Sequence, residues 1–219
     1  MKYRLAIFDL DGTVLDTLAD LADATNAALL QGGYPVRTKE EICSFVGDGI
    51  QKLIERALPS GATKSEVVQT LQIFKEYYGA HCADKTRPYE GICRLLSRLR
   101  AVGVKTAILS NKADFATRAL AKTYFEGLFD AVAGEREHQG IPKKPSPEGV
   151  QLLCEECGVS AAETVYIGDS EVDVKTAKNA GVDAVLVSWG FRSRKALLAS
   201  GAKVIVDAPK ELQELVLNI

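Results

Sequence analysis

The 219-residue chain is defined first by what it does without. It carries no sustained block of basic residues: 27 Lys and Arg stand against 29 Asp and Glu, giving a net charge of −2. That leaves no electrostatic footprint for nucleic acid. No stretch of apolar residues approaches the length of a membrane span, and the short run before Asp9 is no signal-peptide core, so the expectation is a cytoplasmic protein with no membrane partner. The five cysteines are an odd number without a secretory signal, which argues for free thiols. Cys154 and Cys157 form a CxxC without a second ligand pair or an oxidoreductase-like context, so they read as helix-face packing. No repeat or low-complexity tract is present, and His81 and His138 have no partner in any motif.

What is present is 47% hydrophobic and 26% charged, ordinary globular material with room for one domain or a domain plus a small insertion. Short aliphatic or β-branched runs read as strands at 5–9, 105–110, 164–168, 184–188 and 203–206. Helical spacing falls between them at about 89–102, 115–122, 147–157, 172–180 and 209–217. This alternation predicts an α/β fold, a doubly wound, Rossmann-like parallel sheet covered on both faces. Between Thr17 and Arg87 it fails. Four helical patterns follow one another there, two of them opened by the capping-box pairs Thr38 with Glu41 and Thr63 with Glu66. The expected organisation is a core of residues 1–16 and 88–219 with an inserted helical cap, 17–87.

The chemistry gathers where apolar runs end. Phe8-Asp9-Leu10-Asp11-Gly12-Thr13 closes the first strand with two acids, at the sheet edge where ligands bind in open parallel sheets; a plain solvated turn fits the same residues. Ser110 and Asn111 end the second run, where Ser110 also suits a helix N-cap. Lys143-Lys144-Pro145 reads as a further strand end, with a surface charge run as its alternative, and Gly168-Asp169-Ser170-Glu171-Val172-Asp173 ends the next.

In that order and spacing, DxDGT, Ser-Asn, Lys-Pro and GDSxxD resemble the haloacid dehalogenase superfamily of phosphohydrolases over essentially the whole chain. Phe45 to Leu58 is similar to the cap segment of bacterial phosphoglycolate phosphatases, inserted just after the first motif. The resemblance implies a phosphatase for a small phosphorylated metabolite, working as a monomer or weak homodimer. Asp9 would be the nucleophile that forms an aspartyl-phosphate, and Asp11 the acid and then the base. Ser110 and the Asn111 amide would cradle phosphate, and Lys144, chosen over Lys143 because it directly precedes Pro145, would offset charge. Mg²⁺ would be held by Asp9, Asp169 and the Asp11 carbonyl, with Asp173 in an outer role. Gly12 and Thr13 would shape the turn and approach phosphate. Gly47, Asp48 and Gly49 would let cap amides approach substrate, or simply form a turn. Hinges are expected near 16–17 and 87–88. Among relatives of the same superfamily, Asp11 weighs against a dehalogenase, and Lys52 matches a phosphonate hydrolase by type alone. A β-phosphoglucomutase-like phosphotransferase and a non-catalytic phosphate sensor stay open.

Overall fold

The computed structural model describes residues 2–218, which divide into two compact units, 2–15 with 88–218 and 16–87. Strand β1 (Leu5–Phe8) is buried at every position, as a continuous apolar run in the middle of a parallel sheet must be. The chain then passes through β2 (Leu15–Asp16) into four helices, α1 (Leu18–Gln31), α2 (Lys39–Phe45), α3 (Ile50–Ala57) and α4 (Lys64–His81), and returns by β3 (Arg87–Pro88), which pairs with β2. From there it alternates: α5 (Ile92–Ala101), β4 (Lys105–Ala113), α6 (Asp114–Phe125), β5 (Ala131–Glu135), α7 (Glu148–Cys157), β6 (Thr164–Gly168), α8 (Glu171–Ala180), β7 (Asp183–Val187), α9 (Arg194–Ala199), β8 (Ile205–Val206) and α10 (Pro209–Leu217).

The six-stranded sheet runs β5-β4-β1-β6-β7-β8, with every pairing parallel. Leu5 to Phe8 lie opposite Lys105 to Ile108 on one side and Thr164 to Ile167 on the other, so three expected strands end side by side. Leu5, Ile7, Leu109, Leu153 and Tyr166 belong to one apolar cluster that includes Cys154 and Cys157. Each fully buried aliphatic side chain there contributes about 1.5–3 kcal/mol. The CxxC is thus packing.

Besides the two-residue strands β2 and β3, two elements were not foreseen. The edge strand β5, Ala-Val-Ala-Gly-Glu, is as long as β6 and β7 but too rich in alanine and glycine to read as a strand. Its Gly134 lies so close to Asp114 that a Cβ would fall 2.4 Å from the Asp114 Cα, and its amide donates to Asp114 Oδ1 at 2.8 Å. Helix α9 is six residues long, less than two full turns. A third correction concerns Lys144, which lies in the loop between β5 and α7 and not at a strand end.

The helical unit has its own core, in which Leu21, Ala28 and Leu29 of α1 pack with Ile42, Leu53 and Ile54. The rings of Phe74 and Tyr78 stack at 5.3 Å within it. Both capping boxes form, with the threonine hydroxyl and the glutamate three residues on exchanging bonds with each other's backbone. Buried Asp20 accepts from the amides of Lys85 and Thr86 at 2.8–3.1 Å, tying the first helix of the unit to its exit segment.

Candidate active site

Beyond Phe8 the backbone leaves strand geometry at once. The amides of Thr13, Val14 and Leu15 all point to the Leu10 carbonyl, and Gly12 takes φ +84°. Glycine is required there twice over, by its left-handed φ and because a Cβ would lie 2.3 Å from Asp169 Oδ2. The tight turn keeps Asp9 and Asp169 close. One carboxylate oxygen each from Asp9, Asp169 and Asp173 lie within 4.8 Å of one another, in a buried cluster.

Lys144 reaches into this cluster from its loop. Its Nζ is 2.8 Å from Asp9 Oδ1 and 2.8 Å from Asp173 Oδ1, whereas Lys143 is partly exposed and pairs with Glu137 at 3.2 Å. Asn111 fixes the lysine's backbone: its Oδ1 accepts from the Lys144 amide at 2.8 Å and its Nδ2 donates to the Lys144 carbonyl at 3.1 Å. Asp173, the third helical residue of α8, has both oxygens engaged. Oδ1 accepts from Lys144 and from Tyr166 at 3.1 Å; Oδ2 accepts from the amides of Asp169 and Ser170 and from the Ser170 hydroxyl. It therefore orients its neighbours and has little capacity left as a ligand.

Ser110 does not cap α6, whose cap position is Ala113. Its hydroxyl instead accepts from the Lys112 amide at 3.2 Å, at a point where the pairing of β4 with β5 slips between Leu109 and Ala113. Such an irregularity re-aims side chains beside active sites. Here it turns Lys112 onto Asp11, with Nζ 2.9 Å from both carboxylate oxygens.

The electrostatics leave a gap for positive charge. Within this set four carboxylates, Asp9, Asp11, Asp169 and Asp173, meet two ammonium groups, Lys112 and Lys144. Burial pushes the Asp9 carboxyl up to about 7, with Asp173 and Asp11 adding to the rise and Lys144 opposing it. Burial, then Asp173 and Asp9, hold Asp169 well above the usual carboxylate range. Burial would lower Lys144, but Asp173 and Asp9 outweigh it and keep the ammonium form far past neutral pH. Two surplus carboxylates that resist ionisation side by side match what a divalent cation supplies, and their hard oxygen donors suit one. The Thr13 hydroxyl, buried without a hydrogen-bond partner among the described residues, is a donor with no protein acceptor.

One more contributor is the segment that follows β7. Its single tryptophan, Trp189, donates from Nε1 to the Thr13 carbonyl at 3.1 Å, and the Phe191 amide donates to Asp169 Oδ2 at 2.6 Å. Between them Gly190 comes so close that a Cβ would lie 2.4 Å from both Asp169 Oδ2 and the Gly12 carbonyl. The cap candidates belong to the other unit. Gly47 and Gly49 take φ of 130° and 89° just before α3, and Asp48 pairs with Arg56 at 2.5 Å, so its carboxylate serves a clamp on α3.

Residues 6–187 match the family described as haloacid dehalogenase-like hydrolase. A phosphoglycolate phosphatase of Pseudomonas putida is 33% identical over 211 residues, 93% of this chain and 76% of its own. An N-acetylmuramic acid 6-phosphate phosphatase of Pseudomonas aeruginosa is 30% identical over 215 residues, 97% and 94% of the two chains. The crystal structure of a candidate phosphoglycolate phosphatase from Lactobacillus delbrueckii subsp. bulgaricus superposes with a TM-score of 0.94 at 40% identity over 99% of each chain. With a family match spanning most of its length and relatives at this identity, the chain belongs to the haloacid dehalogenase-like hydrolases.

Proposed function

We propose that the chain is a Mg²⁺-dependent phosphatase that hydrolyses a small phosphate monoester through an aspartyl-phosphate on Asp9, with 2-phosphoglycolate the leading substrate. The observation that carries this reading is the buried bridge from Asp9 through Lys144 to Asp173, with Asp169 alongside. A phosphate dianion repels nucleophiles, so its hydrolysis calls for neutralising charge, a fixed nucleophile and donors around its oxygens. Asp9 and Asp169 side chains and the Asp11 carbonyl would hold Mg²⁺, which when bound supplies the charge that this acid-rich set lacks.

Asp9, held at one oxygen by Lys144, attacks phosphorus with the other oxygen. Lys144 stays charged throughout, because Asp173 holds it from behind, and offsets the phosphoryl oxygens. The Ser110 and Thr13 hydroxyls and the Asn111 amide donate to those oxygens. Asp11 gives a proton to the departing alkoxide and takes one from the water that cleaves the intermediate. The names of the relatives support a small phosphorylated substrate, and they favour two candidates.

The test is phosphate release, with and without Mg²⁺, from 2-phosphoglycolate, N-acetylmuramic acid 6-phosphate, β-glucose 1-phosphate and a plain alkyl phosphate, with Asp9→Asn as the blank. Metal-dependent release led by 2-phosphoglycolate supports the reading. Release led by the amino-sugar phosphate moves the substrate but keeps the chemistry. Interconversion of sugar phosphates without release replaces it with a mutase.

A further inference from the structure

The site holds one charged group that this mechanism does not use. Lys112 is a buried lysine, its side chain only 4% exposed, and its ammonium sits 2.9 Å from both oxygens of Asp11. We propose that Lys112 reads a second anionic group on the substrate and in doing so releases Asp11. The inference rests on the phosphatase reading above and narrows its substrate to a short phosphate ester that carries a carboxylate.

The chelate itself is the first argument. A carboxylate that serves a leaving-group oxygen or an attacking water must bring one oxygen within hydrogen-bond reach of it. Both Asp11 oxygens are instead turned to one ammonium, so a leaving-group oxygen or a water must compete with Lys112 for them. A buried ammonium will not leave one carboxylate for nothing, because an unpaired buried charge is strongly destabilising. It leaves for another anion.

Position is the second argument. Lys112 stands two residues after Ser110, and its amide is bound to the Ser110 hydroxyl, so the lysine springs from the same irregular end of β4 that would cradle phosphate. A group joined to the phosphate by one or two carbons therefore comes within range of the lysine's flexible four-carbon stem and three rotatable donors. The other lysine of the site has no such freedom: Lys144 is fixed by Asp9 and Asp173 at its head and by Asn111 at its backbone. A substrate with a neutral end brings no anion beyond the phosphate, whose charge Lys144 already offsets, so the chelate persists and Asp11 stays withheld.

The experiment compares 2-phosphoglycolate with its neutral analogue 2-hydroxyethyl phosphate on the Mg²⁺-loaded wild type, Lys112→Met and Lys112→Arg, with folding of each checked by urea unfolding. In the wild type, kcat/KM should favour the carboxylate by about 10- to 100-fold, the range of a charge-assisted hydrogen bond. A share of that should lie in kcat, since Asp11 is engaged only with the charged substrate. In Lys112→Met the ratio should fall to within about threefold, and Lys112→Arg should recover part of it. A wild type that hydrolyses both esters alike overturns the inference and leaves the phosphatase reading standing, whatever the variants do. A Lys112→Met enzyme that slows equally on both esters overturns it too, since that is the mark of a purely structural lysine. A wild type inactive on every phosphate ester overturns the phosphatase reading itself.

Discussion

Replacing Asp9 by Asn should make the metal-free protein more stable at pH 8, and by less as the pH falls. Asp9 is buried beside Asp169 and Asp173, and its carboxyl is pushed up to about 7. In the unfolded chain it returns to about 3.9. The folded state therefore binds more protons than the unfolded state between those values. Stability is fully present below about pH 4, is lost as the pH rises, and the loss is complete above about 7. Three pKa units correspond to about 4 kcal/mol at pH 8, of which about 1–2 kcal/mol is already incurred at pH 5. Asn carries no charge at either pH and Lys144 keeps Asp173, so the variant escapes the penalty. Its stability relative to wild type should climb by about 2–3 kcal/mol from pH 5 to pH 8. Urea unfolding in EDTA, followed by the fluorescence of Trp189, reads this directly, since the chain's single tryptophan lies in the same unit as Asp9. A gap that does not change with pH, or one that favours wild type at pH 8, would refute the charge argument.

Other substitutions probe the supports. Asn111→Ala removes both bonds that hold the Lys144 backbone and should cost about 2 kcal/mol in urea unfolding while lowering kcat more than it raises KM. Gly190→Ala drives a Cβ into Asp169 and the Gly12 carbonyl, and should weaken Mg²⁺ binding at least about tenfold by titration calorimetry; unchanged affinity would show that the segment after β7 does not set the site. Asp11→Asn should slow alkyl phosphates far more than activated aryl phosphates, and equal losses would count against leaving-group protonation. Thr63→Ala should destabilise the helical unit by about 1 kcal/mol in hydrogen exchange and leave the sheet unit untouched.

The paired acids and the capping boxes were legible because each breaks a local pattern: a carboxylate pair ends an apolar strand, or a hydroxyl precedes a glutamate by three; Ser110 and Lys144 stood out only through the family resemblance, Lys144 because it directly precedes Pro145. Lys112 was not, since a lysine at a strand end reads as solvated surface, and its burial follows from β4 slipping in register where it passes β5. The segment after β7 acts through a backbone amide and a missing Cβ, neither of which a residue type announces. The signal that was available there is Trp-Gly-Phe directly following a strand at the edge where the acids gather. β5 hid because alanine and glycine carry little strand preference, and its place at the sheet edge is set by Asp114 and β4.

The nucleophile assignment is tested most directly by mixing the Mg²⁺-loaded enzyme with substrate, quenching in acid within the first turnover, and mapping phosphoryl adducts by mass spectrometry. The account predicts an adduct on Asp9, formed only with metal and absent from Asp9→Asn. An adduct on another residue, or near-normal hydrolysis by Asp9→Asn, would contradict it.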